Sequence, residues 1–502
     1  MEGRISVGKR PNIIILNPDQ MRADSMGHMG NLASITPNLD KLAKEGISFS
    51  NAFCQNPVCT PSRCSFMSGW YPHVAGHRTM THMMQSHEPV LLKYLKDNGY
   101  QVWMNQRNDL LPAQHGDYYK DYCTSFFRID QDHLPESLPD DNWRGEEDGD
   151  NYYSFYRGLI PKRKDLDKIW TDGAVNFIEN YKEDQPFCIF LPWMNPHPEY
   201  QVEEPYFSMI DRKKLPKRIK PKENHKGKPR IIRELAKLQG LQNWNEDRFN
   251  ELRAVYLGMC SKVDHMTGMI MEVLKKRGIY DNTAIFFFSD HGDYTGDYGL
   301  VEKTQNCFED CLVNVPFLVK LPKEHQNRTG ISEDLVELID FYATAEELAG
   351  LPKTHTHFGE SLVSYIKGER KKLRDQVFCE GGFRKGEEHC KETGGQKVPS
   401  PKGLYYPRQY LQASDEMYNG KAIMCRTKKY KYIRRLYEED ELYDLVKDPK
   451  ELQNEIDNPE YKEVLMGMKE DLLTHYQDTC DVVPIKKDQR MEKEFKKILM
   501  GK

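Results

Sequence analysis

Asn12-Ile13-Ile14-Ile15-Leu16-Asn17-Pro18-Asp19-Gln20 is a β-branched apolar run that ends in a proline, an acid and an amide. With no polar residue to mark a solvent face, it reads as a strand buried on both sides, as in a parallel sheet. Thr283-Ala284-Ile285-Phe286-Phe287-Phe288 repeats the pattern and also runs into an acid, Ser289-Asp290-His291. Phe187–Leu191 and Val315–Val319 read as further buried strands, the latter with Pro316 near its start. Helical patterns lie between them: Asn38–Glu45, led in by Thr36-Pro37 and stopped by Gly46, Arg253–Lys276, and Leu335–Leu348. Strands alternating with helices predict an α/β sandwich on a large, mostly parallel central sheet, with ligands bound beyond the carboxyl ends of its strands.

After about residue 410 the character changes. Ala422–Met424, Tyr430–Ile433 and Glu441–Leu445 read as short strands and Glu460–Tyr476 as a helix, so a smaller C-terminal α+β subdomain is expected. The division expected is 1–375 for the main α/β domain and 376–502 for the subdomain.

Length and composition narrow the class. The 502 residues, 30% charged and 38% hydrophobic, suit a globular protein with a large core. A net charge of −5 argues against nucleic acid or an anionic membrane as partner. No apolar run approaches a membrane span and no signal peptide is visible. With twelve scattered cysteines, the expectation is reduced thiols in a cytoplasmic protein.

Asp19-Gln20 and Asp290-His291 both follow strands and would project from one sheet edge. Two carboxylates, an amide oxygen and an imidazole there make a mixed O/N site for a divalent cation; each acid alone could equally be a helix cap. Cys59-Thr60-Pro61-Ser62-Arg63-Cys64-Ser65-Phe66-Met67-Ser68-Gly69 places a cysteine at the mouth of a short helix. There, free N–H groups and the helix dipole favour anions and lower a thiol's pKa.

The Cys59–Gly69 run resembles the signature of the type I sulfatases of the alkaline-phosphatase superfamily, Cys-x-Pro-Ser-Arg with a glycine six residues beyond the arginine. The resemblance extends through Thr36-Pro37-Asn38-Leu39-Asp40, Gly99-Tyr100, Asn195-Pro196-His197, Ser289-Asp290-His291-Gly292-Asp293 and Glu441-Leu442-Tyr443-Asp444-Leu445. It implies the sulfatase-like sandwich fold and a formylglycine made from Cys59 by a maturase, whose hydrated aldehyde is the nucleophile. It further implies metal ligands at Asp19, Gln20, Cys59, Asp290 and His291. The family's usual ion is Ca²⁺, while a nitrogen ligand favours Mn²⁺. Arg63 matches the arginine on the formylglycine oxygens, Lys303 the lysine on the sulfate or leaving-group oxygen, and His197 the histidine that protonates the leaving group.

Where most sulfatases have Gly-Lys-Trp-His, this chain has Gln106-Arg107-Asn108-Asp109. Arg107 keeps the family lysine's charge without a transferable proton, and Asp109 could hold an arginine or touch a substrate hydroxyl. The expected activity is hydrolysis of a sulfate monoester on a small molecule or glycan. Phosphonate monoester or phosphodiester cleavage on the same scaffold is the alternative, since the Gln20/His291 pairing resembles that subgroup. An unmodified anion-binding protein is the third reading.

Other features carry less. Residues 211–230 hold ten Lys or Arg against two acids: a solvated excursion, or a basic wall for a polyanionic substrate. The Gly-rich stretch 380–407, with Gly381-Gly382 and Gly394-Gly395, suits a loop near the site or plain surface. His73, His77, Arg78, His82 and His87 cluster without compact zinc-motif spacing, so one or two are expected to line the pocket. Cys54 and Cys64 are expected as free thiols. Met83-Met84 and Met266–Met271 are expected as core filler.

Overall fold

The computed structural model describes residues 10–112, 116–129, 155–392, 405–486, 498 and 500. The first strand, β1 (Asn12–Asp19), lies deep in an eight-stranded sheet. The other strands in chain order are β2 (Ile47–Phe53), β3 (Gln101–Asn105), β4 (Ser125–Phe127), β5 (Tyr156–Leu159), β6 (Phe187–Pro196) and β7 (Tyr200–Val202). They continue with β8 (Thr283–Phe288), β9 (Phe317–Lys320), β10 (Gly330–Glu337), β11 (Val377–Gly381), β12 (Ala422–Arg426), β13 (Tyr430–Arg435) and β14 (Glu441–Asp444).

The large sheet has the order β10-β2-β9-β8-β1-β6-β3-β4. Only β9 runs against its neighbours; every other pairing is parallel. Side-chain alternation explains the unbroken apolar runs. Ile13, Ile15, Phe286 and Phe288 enter the core on one face, and Ile14, Leu16, Ile285 and Phe287 enter the core on the other. The helix Glu246–Lys276 covers the second face. The helices Cys59–Ser68 and Asp340–Leu348 cover the first.

Strands β11 to β14 form a separate antiparallel sheet. One of its faces joins the main core through Val377, Cys379, Met424 and Ile433. The other packs Ile423, Cys425, Tyr432 and Leu442 against the helix Lys462–Thr479. β5 and β7 pair as a two-stranded ribbon.

Two elements differ from the sequence reading. Leu335–Glu337 are strand, not helix, because they pair in parallel with Asn51–Phe53. The helix starts only at Asp340, whose Oδ2 accepts the Glu337 N–H at 2.9 Å. The long helix starts earlier than the apolar pattern suggests, at Glu246, because the Asn245 side chain accepts from Arg248 N at 2.9 Å and caps it. Among the described residues no helix is long and apolar enough to cross a membrane. All twelve cysteines are free thiols.

Candidate active site

β1 and β8 are adjacent and parallel, so Asp19-Gln20 and Asp290-His291 leave the sheet side by side. Gln20 takes a left-handed backbone (φ 71°), and its N–H donates to Asp290 Oδ1 at 3.1 Å. Gly292 allows the turn after β8, because a Cβ there would meet the Cys311 carbonyl oxygen at 2.0 Å. Cys59 is the first residue of the helix Cys59–Ser68, all ten of whose residues are buried. Gly69 ends that helix at φ 72°, its N–H returning to Ser65 O at 2.8 Å. Ser62 Oγ ties the helix to β8 by donating to Asp290 O at 2.6 Å.

Asp19, Cys59, Asp290 and His291 present ligand atoms within 4.8 Å of one another, all buried. The Cys59 Sγ lies 3.1 Å from His291 Nε2 and 3.5 Å from Asp19 Oδ1. His291 Nδ1–H donates to Gly292 O at 2.9 Å, which fixes the tautomer and leaves an Nε2 lone pair facing Asp19 Oδ1 at 3.5 Å and Asp290 Oδ1 at 3.8 Å. Burial keeps this imidazole below its usual pKa and neutral. Carboxylate oxygens, an imidazole nitrogen and a sulfur crowded together, with only the thiol proton among them, are a donor set that fits a divalent cation.

Positive charge surrounds the acids. Arg63, fully buried, donates from Nε to Asp290 Oδ2 and from Nη2 to Asp19 Oδ2, both at 2.9 Å, and from Nη1 to Asn108 O at 3.1 Å. Arg107 donates to Asp19 Oδ2 and pairs with Asp109 at 3.2 Å. Burial opposes ionisation of Asp19, but Arg107 and Arg63 hold its carboxyl well below the usual range. The Cys59 thiol contradicts the expected lowering at a helix start. Burial first, then Asp19, pushes it well above its ordinary value, with Lys303 only partly offsetting them.

Lys303, 1% exposed, donates to Gln20 Oε1 at 2.8 Å and His197 Nε2 at 2.9 Å, and pairs with Glu302 at 2.9 Å. The His197 ring is held neutral by burial and by Lys303, and its Nδ1 meets Pro198 O at 2.5 Å.

The sequence reading missed three supports. Asp293 accepts from Gln20 Nε2 at 2.5 Å and from Tyr200 OH at 2.8 Å, which turns the Gln20 amide so that its oxygen faces Lys303. Its position in Asp290-His291-Gly292-Asp293 was the available signal. Asp167 accepts from Met194 N (2.7 Å), Asn195 N (2.8 Å) and Asn195 Nδ2 (2.7 Å), clamping the strand end that carries His197. Tyr405 OH lies 3.3 Å from His197 Nε2, so the end of the Gly-rich stretch reaches the site; Gly394-Gly395 fall outside the described residues.

The histidine cluster does not line this centre. His73 binds Glu380 and Thr479, His77 pairs with Glu88, and Arg78 bonds Gly382 O and Glu387. Half of the basic residues of 211–230 pair with acids elsewhere in the fold: Arg212 with Glu251, Arg218 and Lys220 with Glu246, Lys228 with Glu309 and Arg230 with Glu438. These five cations are engaged within the fold and are not free to form a basic wall.

A cluster of metal-ligating side chains at strand ends, ringed by arginines and a lysine around the start of a buried helix, suits a hydrolase acting on tetrahedral oxyanion esters. The chain belongs to the sulfatase family: the Sulfatase family model matches residues 11–351, and the model "N-sulphoglucosamine sulphohydrolase, C-terminal" matches 385–478. It is therefore a sulfuric ester hydrolase of the alkaline-phosphatase superfamily. An arylsulfatase of Clostridium perfringens is 24% identical, over 90% of this chain and 92% of its own length. An N-acetylglucosamine-6-O-sulfatase of Bacteroides thetaiotaomicron is also 24% identical, over 96% and 90%. Among solved structures, a phosphonate monoester hydrolase of Agrobacterium radiobacter superposes with TM-score 0.72 at 21% identity, covering 94% of this chain and 96% of that one. BT4656, in complex with its substrate D-glucosamine-2-N,6-O-disulfate, superposes with TM-score 0.69 at 20% identity, covering 94% and 99%. These two likenesses show the shared fold.

Proposed function

We propose that this protein removes sulfate from a carbohydrate sulfate monoester, using a formylglycine generated from Cys59 by a maturase and one divalent cation. The observation that carries the reading is the meeting of Cys59 Sγ with Asp19, Asp290 and His291 in one buried cluster. Asp19, Asp290, His291 and Gln20 would hold the ion, Ca²⁺ by family habit, with Mn²⁺ admitted by the imidazole. Bound there, the ion supplies charge neutralisation and polarisation of the ester oxygens. The formylglycine supplies the hydroxyl nucleophile.

The chain's own residues do the rest. Arg63 keeps both carboxylates aimed at residue 59 and brings fixed charge to the ester's oxygens. Arg107 adds a second fixed charge, and Asp109 holds its guanidinium. Lys303 and His197 share the proton for the leaving oxygen. At rest Lys303 Nζ–H donates to Nε2 of a neutral ring; an anion in the pocket adds negative charge and favours the protonated imidazole.

A sugar substrate is supported by the carbohydrate sulfatases among the relatives and by the C-terminal family match. The basic segment, half of it paired with acids elsewhere in the fold, and the net charge of −5 give no support to a nucleic-acid partner. We read residues 1–375 and 376–502 as the two units, β11 opening the second sheet, and the free thiols as favouring a reducing, cytoplasmic setting.

The test has two parts. Intact-mass analysis of the Cys59 peptide from the native host is expected about 18 Da below cysteine, the arithmetic of exchanging CH₂SH for CHO. A desulfation screen across sulfated mono- and disaccharides should then find turnover. An unmodified cysteine with no turnover points instead to an anion-binding protein. Faster cleavage of phenyl phosphonate or a bis-aryl phosphate than of any sulfate selects the second reading, which the Gln20/His291 pair keeps open.

A further inference from the structure

The fold brings together a second set of metal-ligating side chains away from residue 59. His82, His389 and Cys390 place ligand atoms within 4.8 Å of one another. They come from two segments some three hundred residues apart in sequence, which is why no spacing motif revealed them. Cys390 is buried at 4% exposure, His82 is half-buried and His389 is exposed, so one side stays open to solvent. The two imidazole rings sit 5.9 Å apart, edge to face. His82 Nδ1 is held by Thr79 Oγ1 at 2.5 Å, which leaves Nε2 as the nitrogen available to an ion. An acceptor fixing the far N–H of a ligand histidine is the usual outer support of a metal site, and the Thr79 hydroxyl takes that place here.

We propose that His82, His389 and Cys390 bind a zinc ion that pins the segment 388–392 against residues 79–82. Two imidazoles and a thiolate are borderline-soft donors that suit Zn²⁺ and suit a hard cation such as Ca²⁺ poorly. Tetrahedral bonds of about 2.0 Å to nitrogen and 2.3 Å to sulfur put neighbouring ligand atoms about 3.3–3.6 Å apart. On binding, the ligand atoms would close to that spacing from within 4.8 Å of one another. Binding releases the Cys390 thiol proton to solvent, and water fills the fourth position on the open side. The nearby Arg78 cation does not oppose the ion unscreened, because Glu387 accepts from it at 3.0 and 3.2 Å.

The pinned strap matters to the catalytic pocket. Glu392 accepts from Met80 N at 2.9 Å and from Gln305 Nε2, two residues beyond Lys303. Its own N–H donates to Gln412 Oε1 at 3.0 Å. A zinc ion at residue 390 would therefore steady Glu392 against Gln305, two residues from Lys303.

Metal analysis of the purified full-length protein, equilibrated with Zn²⁺ in excess Ca²⁺, tests this. Wild type and Cys59→Ala are expected to carry about one zinc per chain, while His389→Ala and Cys390→Ser carry none. Thr79→Val should weaken zinc about 10- to 100-fold. With Co²⁺ as probe, the thiolate charge-transfer band should vanish in Cys390→Ser and persist in Cys59→Ala. Zinc retained in His389→Ala, or lost in Cys59→Ala, overturns the assignment, as does a wild type without zinc. His389 is exposed, so that variant is not expected to disturb folding.

Discussion

One buried charge cluster ties β13 of the second sheet to Phe308 and Asp310, another sits at the ends of β1 and β8, and they are built to opposite ends. At the structural one, Lys431 spends its three ammonium protons on Phe308 O at 2.7 Å, Asp310 at 2.7 Å and Glu451. Arg426 closes the other side of Asp310 at 2.9 Å, and Arg435 pairs with Glu441 at 2.7 Å. Each acid there is met directly by a cation. At the proposed catalytic one, Arg63 bonds one oxygen of each carboxylate, while Asp19 Oδ1, Asp290 Oδ1 (which also accepts from the Gln20 and His291 N–H groups) and the His291 Nε2 lone pair converge within 3.5 to 3.8 Å. The difference teaches that burial and charge do not mark a site. Several lone pairs converging on one point do.

Two substitutions set the contrast at its widest. Cys59→Ala should cost on the order of 10⁵-fold in turnover, the scale of losing a nucleophile, with no loss of melting temperature, because the thiol makes only weak contacts. Lys431→Met should do the reverse. Breaking one partner of a buried ion cluster costs about 3–5 kcal/mol, read as a shift in urea midpoint, while kcat/KM of the folded protein stays within about twofold. A Cys59→Ala protein that unfolds easily, or a folded Lys431→Met protein that turns over poorly, would erase the distinction.

Arg107 tests how finished the catalytic cluster is. Arg107→Ala should lower kcat/KM about 100-fold, and Arg107→Lys should recover most of it, if fixed charge beside Asp19 is the contribution. Equal loss in both variants would mean that the planar fork joining Asp19 and Asp109 matters more than its charge.

The sequence made the catalytic cluster far more legible than its supports. β1 and β8 are unbroken apolar runs ending in acids, and runs buried on both faces leave few alternatives, so Asp19 and Asp290 could be set at one edge. Leu335-Val336 misled because a short apolar run suits helix and strand alike, and only pairing with β2 decides. The Cys59 pKa was read with the wrong sign because a helix start is visible in sequence, whereas full burial beside Asp19 is not. Asp167 and Tyr405 went unnoticed for a related reason: each reaches the site across tens or hundreds of residues, with no local pattern to announce it. The His82–His389–Cys390 set is the extreme case of the same blindness.

Asp167 yields the smallest expected effect and the sharpest question about those supports. Its two oxygens take three hydrogen bonds from Met194 and Asn195, which hold the strand end bearing His197. Burial, reinforced by Asp165, pushes its carboxyl up to about 6, although the bonds from Met194 and Asn195 pull the other way. Because the folded value lies above the unfolded one, near 3.9, the proton binds the folded state more tightly. Its contribution to stability is therefore full below about pH 4 and fades as pH rises through about 6. Activity should move in the opposite sense, since a protonated carboxyl gives up acceptor capacity and loosens the clamp. Turnover should thus fall on an acid limb near pH 6. Asp167→Asn sets an amide N–H₂ against donors already aimed at that spot. It should lower kcat about tenfold through misplacement of His197, leave KM nearly unchanged, and abolish the acid limb. A limb that persists in Asp167→Asn belongs to another group, and the clamp would then share the purely structural character of the Lys431 cluster.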